Sequence, residues 1–344
     1  MSNTENTKPF LVSILEEVCS EIGATLYTEP QYGYAGYIEF RSGKRRFFRG
    51  ASFDINGQSA SSIATDKNYC SHFLSNAGFT VPEEILVFSP AYRAEIKLKN
   101  PAVAESLSNM QISIDFTGKF GFPVFVKPNE GSKGLGVHKV YSIDELFDAL
   151  LTLFPNHPRV LIQRPVSGRD YRVVVLKDEV ISAYERVPFG VTGDGERTLR
   201  DLIELRIRNL TSQGKSAKTS IADPRLVQHL HNQQLTFDAV VEAGKFVELL
   251  PNANLSSGGD AVDISDELSP ALTAVCIAAT QAVGLNFAGI DLLCADATAE
   301  AAEYTILEVN SAPGLNNFSA LGADQDKKVK YLYRRIMDYM ENHT

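Results

Sequence analysis

Residues 123–136 read Pro123-Val124-Phe125-Val126-Lys127-Pro128-Asn129-Glu130-Gly131-Ser132-Lys133-Gly134-Leu135-Gly136. The first six are a short apolar strand ended by proline, and a loop of three glycines and a serine follows. The next residues, VHKVYS, read as a second strand. IDELFDALLTLF reads as a helix with Ser142 at its N-cap. Glycines in such a loop let backbone amides approach and wrap phosphate oxygens. A tight hairpin turn would carry the same glycines, so the loop alone does not decide between the two. There is no G-x-x-x-x-G-K-[ST], which excludes a Walker A loop. The spacing here is G-x-x-G-x-G and a strand follows, which excludes the dinucleotide fingerprint. A strand–loop–strand arrangement resembles a flap closing over a nucleotide, with the tight hairpin turn still open. Lys127, just before Pro128, would aim a cation at the phosphates from the strand beneath. Elsewhere a lysine at a strand end is an ordinary solvated charge.

A second signal lies near the C-terminal end. Phe287-Ala-Gly289-Ile-Asp291-Leu-Leu-Cys294 and Tyr304-Thr-Ile-Leu-Glu308-Val-Asn310 are apolar strands that each carry acid. Residues i and i+2 of a strand share a face, so Glu308 and Asn310 point together. A hairpin across 296–303 would bring Asp291 beside them. Two carboxylates and an amide oxygen suit Mg²⁺, with phosphate oxygens and water completing the shell. The same pattern fits a half-buried sheet with Asp291 and Glu308 in solvent and Ile290, Leu292, Leu307 and Val309 on the apolar face.

Working outward, 10–22 has the apolar spacing of an amphipathic helix, and 35–40 and 45–49 read as two strands about a Ser42-Gly43-Lys44 turn. Residues 59–78 read as one helix stopped by Gly78. TVPEEILVF, RVLIQRPV, DYRVVVLKD and EVISAYERV read as strands. A polar, mostly helical stretch covers 197–240, interrupted at Gly214 and Pro224; a helix covers 267–283 and a charged amphipathic helix about 325–340. The fold class is α+β or mixed α/β. The boundaries fall into an N-terminal α/β region (1–63), a lobe with the flap (64–163) and a C-terminal lobe with the helical insertion (164–344).

Of the 344 residues, 44% are hydrophobic and 22% charged, an ordinary globular composition. The net charge of −9 speaks against nucleic acid as the main partner, though not against a nucleotide held by local cations. No apolar run approaches the roughly 20 residues of a membrane helix, and the polar start lacks signal-peptide order. A cytoplasmic location is the expectation. Cys19, Cys70, Cys276 and Cys294 are far apart, which argues against a zinc site or disulfide framework.

Taken in order, these pieces resemble the ATP-grasp superfamily over roughly residues 64–320. Ala64-Thr65-Asp66-Lys67 with FLSNAGFTVPE resembles the first lysine-bearing helix. VFVKPNEGSKGLGV resembles the second lysine and flap. VLIQRPVSGRDYRVVV resembles the hinge between lobes, and IDLL with ILEVNSAPGL the metal-binding strands. YRVVVLKDEVISAYERVPFGVTGDGERTLRDLI and NANLSSGGDAVDISDEL narrow the likeness to the ATP-grasp units of cyanophycin synthetase and bifunctional glutathione synthetase.

The resemblance implies an ATP-dependent carboxylate–amine ligase working through an acyl phosphate on amino acids or small peptides, with ATP and one or two Mg²⁺. It implies phosphate contacts by Lys67 and Lys127, a flap that includes Ser132, Gly134 and Gly136, and adenine contacts along Gln163, Arg164 and Val166. It places ribose at Asp170 and metal at Asp291, Glu308 and Asn310. Arg172 and Arg186 would face the acyl phosphate or an acidic substrate, and Asn254, Gly258 and Gly259 would line the substrate pocket. Gln163 stands where many relatives carry glutamate, and Gly289 where the D-alanine ligase branch has arginine, so Arg172 or Arg186 is expected to supply the missing cation. No residue stands out as the base for the amine; His229 and His231 lie in the insertion. Small-molecule substrates are the expected partners, with a homodimer as the expected assembly. A kinase acting on a hydroxyl and a non-catalytic nucleotide-binding module stay open as alternatives.

Overall fold

The computed structural model describes residues 8–131, 134–212, 220–250 and 258–343. The chain opens with helix α1 (Phe10–Ile22), whose Val12, Leu15, Val18 and Cys19 are buried and which Gly23 ends in the left-handed region. Strands β1 (Thr25–Thr28), β2 (Ala35–Glu39), β3 (Arg45–Arg49) and β4 (Ser52–Phe53) then form an antiparallel meander in sequence order. The single helix expected over 59–78 is two helices, α2 (Gln58–Thr65) and α3 (Lys67–Asn76). Asp66 divides them: its backbone is extended and its carboxylate accepts from the Tyr69 amide at 3.0 Å. Aspartate competes with a helix interior and favours the cap, so α3 starts at Lys67.

The next lobe holds β5 (Glu84–Phe88), α4 (Pro90–Lys99), α5 (Pro101–Ser106), α6 (Gln111–Phe120), β6 (Val124–Pro128), β7 (His138–Val140), α7 (Ile143–Leu153) and β8 (Arg159–Gln163). Its sheet runs β5-β8-β6-β7, with every pair antiparallel. Val87, Val124, Val126, Val160 and Ile162 on one face pack against Phe116 of α6 and Leu146 and Leu150 of α7. The opposite face carries Glu84, Gln163, Phe125 and Lys127, by strand register.

The third part begins with β9 (Arg169–Leu176), β10 (Glu179–Val187) and β11 (Gly190–Thr192). It continues through α8 (Leu199–Ser212), α9 (Pro224–Asn232), β12 (Phe246–Glu248), β13 (Asp260–Asp263) and α10 (Pro270–Ala282), and ends with β14 (Phe287–Cys294), β15 (Tyr304–Asn310), α11 (Asn316–Ser319) and α12 (Ala323–His343). The central sheet is antiparallel in the order β13-β10-β9-β14-β15. One face buries Tyr171, Val173, Ile290, Leu292, Ile306 and Val309 beneath α10. A register irregularity after Asp291 puts Ile306, not the expected Leu307, into that core. The other face packs Val174, Leu176 and Phe287 against α1, the N-terminal sheet and α12, so the N-terminal region shares a core with the C-terminal lobe. The insertion has its own core, where Phe189, Leu199, Ile203, Leu226, Leu230 and Leu249 meet. No helix of the described residues is long and apolar enough to cross a membrane.

Candidate active site

The glycine-rich segment connects β6 to β7, and the polar face of that sheet carries Glu84, Gln163 and Lys127. Glu84 and Gln163 are cross-strand partners, as are Phe125 and Gln163. Lys127 Nζ donates to Gln163 Oε1 at 2.8 Å, and Gln163 Nε2 donates to Glu84 Oε2 at 2.8 Å. Burial holds the Lys127 ammonium below the ordinary lysine range, against the pull of Glu308 and Glu84 and helped by repulsion from Lys67. Burial pushes the Glu84 carboxyl up, opposed by the Gln163 bond and the Lys127 charge. Glu84 is absent from the sequence reading; within TVPEEILVF nothing but strand alternation marks it as inward.

Helix α3 delivers the second lysine. Lys67 Nζ donates to the Gly131 carbonyl at 3.1 Å and lies 3.6 Å from Glu308 Oε2. The start of α3 is tied to the base of the flap: the Lys67 amide donates to the Asn129 carbonyl at 3.3 Å and the Asn68 amide to Asn129 Oδ1 at 3.1 Å. Arg159 adds a second tie, donating to Asp66 and, at 3.0 Å, to Glu130 Oε1. Gly134 and Gly136 have φ of 69° and 71°, which side-chain-bearing residues rarely adopt. Ser132 lies outside the described residues.

On the central sheet Asp291 pairs across strands with both Glu308 and Arg172, and Asp170 pairs with Arg186. All four residues named around Asp291 therefore share its face, together with Asn310. Arg172 donates to both Asp291 oxygens, from Nη2 at 2.8 Å, and Arg186 Nη2 lies 3.0 Å from Asp291 Oδ2. Arg186 also donates twice to Asp170 Oδ1, at 3.0 and 2.7 Å. Burial would raise the Asp291 carboxyl, but Arg172 and Arg186 outweigh it and hold it low. Asp170 goes the other way, pushed up to about 6 by burial and the nearby Asp291 charge despite Arg186. Gly289 makes this arrangement possible: a Cβ there would sit 2.8 Å from Pro313 Cβ and 3.2 Å from Arg172 Cδ. Arg172, one of the two arginines named in connection with Gly289, thus lies beside it.

These donors suit a hard cation. A carboxylate offers about four lone-pair directions. The arginine contacts occupy three on Asp291 and leave one on Oδ1. Asn310 would offer its side-chain carbonyl oxygen, not its amide nitrogen, which is a hydrogen-bond donor and is buried without a partner among the described residues. Mg²⁺ with a nucleotide needs only one or two carboxylates, the phosphates and water supplying the rest. Glu308, Asn310 and the open position of Asp291 can hold it.

The Arg164 amide donates to the Glu83 carbonyl at 2.9 Å, which extends the β5–β8 ladder, while its exposed guanidinium lies over Phe120. Val166 is half-buried in the segment joining β8 to β9. Gly258 packs against Phe189 and Leu210 of the insertion core, with Gly259 beside it before β13. Asn254 lies outside the described residues. His229 sits on α9, 3.9 Å from Glu248, and burial and the Lys139 charge keep it neutral-leaning. His231, two residues on, is exposed. All four cysteines are buried, unpaired thiols.

Comparison with known proteins matches residues 97–194 to the family model for the D-ala D-ala ligase C-terminus and residues 239–332 to the RimK-like ATP-grasp domain. The glutathione biosynthesis bifunctional protein of Enterococcus faecalis is 29% identical over 293 residues, covering 80% of this chain and 36% of that protein. The cyanophycin synthetase of Geminocystis herdmanii is 29% identical over 262 residues, 73% of this chain and 28% of its own length. The chain thus spans about a third of the curated relatives it matches. In the crystal structure of a bifunctional glutathione synthetase from Pasteurella multocida the likeness covers 96% of this chain and 45% of the other, with TM-score 0.60 and 20% identity. The chain is similar to ATP-grasp ligases and has the ATP-grasp fold.

Proposed function

From that fold, we propose that this chain is an ATP-dependent ligase that activates a carboxylate as an acyl phosphate and joins it to an amine. The observation that carries the reading is the convergence at Glu308. It lies 3.6 Å from Lys67, and its charge also acts on Lys127, so the cations of the flap lobe and the carboxylates of the central sheet face one space. Phosphoryl transfer needs this arrangement, because ATP and the acceptor carboxylate repel each other.

Lys67 and Lys127 would hold the phosphates beneath the flap of Gly134 and Gly136, with Ser132 as a further flap contact. Gln163, Arg164 and Val166 would line the adenine. Asp170 keeps Oδ2 clear of its bonds to Arg186, and that oxygen would accept from a ribose hydroxyl. Asp291, Glu308 and Asn310 would hold one or two Mg²⁺ ions, which supply charge neutralisation to the phosphates when bound. Arg172 and Arg186 are buried and fixed by their carboxylates, so they would stabilise charge on the acyl phosphate without reorganising. Flap closure would exclude the water that otherwise hydrolyses this intermediate. The amine then attacks, phosphate leaves, and an amide forms. The substrate class is amino acids or small peptides, with Asn254, Gly258 and Gly259 on the acceptor side.

The test is phosphate release from ATP with a panel of amino acids and dipeptides. The proposal expects release only when a carboxylate and an amine are both present, with an amide product. Phosphorylation of an alcohol and no amide would replace the ligase with a kinase. ATP binding without turnover on any pair would make the chain a binding module.

A further inference from the structure

The Glu84 carboxylate, which accepts from Gln163, has no part in the scheme above. Gln163 is 4% exposed, and both ends of its amide are held. A lysine ammonium can only donate and an ionised carboxylate can only accept. An amide between them therefore has one permitted orientation: oxygen toward Lys127, nitrogen toward Glu84. The reversed amide would set donors against the ammonium and an acceptor against the carboxylate. Chemistry, rather than the shape of the side chain, assigns the amide here.

The consequence reaches the nucleobase. A carbonyl oxygen has two lone pairs, and Lys127 uses one of those on Gln163. The second can accept from an exocyclic amino group, which adenine has at the position where guanine has a carbonyl. An amide turned the other way would present a donor and suit guanine instead.

We infer that Glu84 is a positioning residue that fixes the polarity of the Gln163 amide and thereby makes the site select adenine over guanine. The inference rests on the nucleotide-binding part of the proposed function. Glu84 itself does not touch the nucleotide. It acts through Gln163, its direct cross-strand partner on β8. Its charge also balances Lys127, so a merely structural role would weaken all nucleotides together, whereas the orienting role changes their ratio.

The experiment is calorimetric titration of ATP and of GTP, each with Mg²⁺, into the full chain and two variants. Glu84→Gln keeps the size but gives position 84 an amide that can donate or accept, so Lys127 alone still opposes the turned Gln163 amide. The ATP-over-GTP preference is expected to fall about tenfold, the discrimination of one oriented hydrogen bond. The swap Glu84→Gln with Gln163→Glu places an acceptor-only carboxylate at 163 and is expected to restore the preference. An unchanged preference in Glu84→Gln, or a swap that stays as unselective as the single variant, overturns the inference. If Glu84→Gln does not fold, Glu84→Met, which offers Gln163 no strong acceptor, decides: a lowered preference supports the inference and wild-type preference overturns it. A wild-type chain that binds no ATP overturns the ligase reading itself, an outcome distinct from ATP binding with selectivity indifferent to Glu84.

Discussion

Replacing Arg172 by methionine should make the stability of the chain depend on pH in a defined direction. Arg172 contacts both oxygens of Asp291, and Arg186 makes the remaining ion pair at 3.0 Å. Removing one partner of a buried pair typically costs about 3–5 kcal/mol, because a buried charge is left uncompensated. Arg186 stays, which sets the expectation at the lower end, about 3 kcal/mol near pH 7. Methionine keeps most of the stem volume, so little of the loss comes from a cavity. In the wild type the arginines hold the Asp291 carboxyl low against burial. A depressed carboxyl contributes stability above the unfolded value of about 3.9, and that contribution is lost as pH falls through the folded value. In the variant the burial that Arg172 opposed acts more freely and the carboxyl rises. It then takes up a proton in mild acid, which removes the uncompensated charge. The gap between variant and wild type should therefore be widest near pH 7 and narrow toward pH 4 (about 3 units lower). Urea unfolding of both proteins across that range measures it. A loss that is the same at every pH, or one below about 1 kcal/mol at neutrality, refutes the reasoning.

Asn56 donates to the Phe287 and Ser311 carbonyls at 2.7 and 2.9 Å and accepts from the Asn286 and Phe287 amides at 2.8 and 2.9 Å. Asn56→Ala should cost about 3 kcal/mol in chemical denaturation by stranding those backbone groups. Lys127→Met should weaken ATP binding about a hundredfold by calorimetry; a change below about threefold would remove Lys127 from the phosphate site. Glu308→Ala should abolish Mg²⁺-dependent ADP release while the circular dichroism stays that of the wild type, and undiminished release would sink the metal assignment. Gly289→Ala should lower stability by about 1–3 kcal/mol in thermal unfolding, since its Cβ meets Pro313 at 2.8 Å and crowds Arg172.

Much of this was legible in the chain because it rests on local pattern. The β6–flap–β7 unit, the Asp291–Glu308 pairing and the helices at 10–22 and 143–153 follow from alternation, caps and turn residues. The break at Asp66 was not, because apolar spacing runs through it. Only the Arg159 contact and the cap bond show that the residue serves as a helix start rather than a helix interior. Helices α4, α5 and α6 were missed; α4 buries no side chain and so leaves no apolar stripe to read. The insertion read as polar, yet it buries its own core, because its apolar residues are spread over β11, α8, α9 and β12 rather than concentrated in one element. At the site, the residues with chemistry of their own were visible. Their partners were not: Glu84 for Gln163, Asn129 for α3 and Arg159 for Asp66 are set by register between distant strands and helices.

The central claim is that a carboxylate oxygen attacks ATP. Phosphate collected during turnover with ¹⁸O-carboxylate-labelled amino acids and dipeptides, analysed by mass spectrometry, tests it most directly. The ligase account predicts one ¹⁸O in each released phosphate, carried over when the acyl phosphate breaks down to the amide. Phosphate released in step with product but free of label would contradict it.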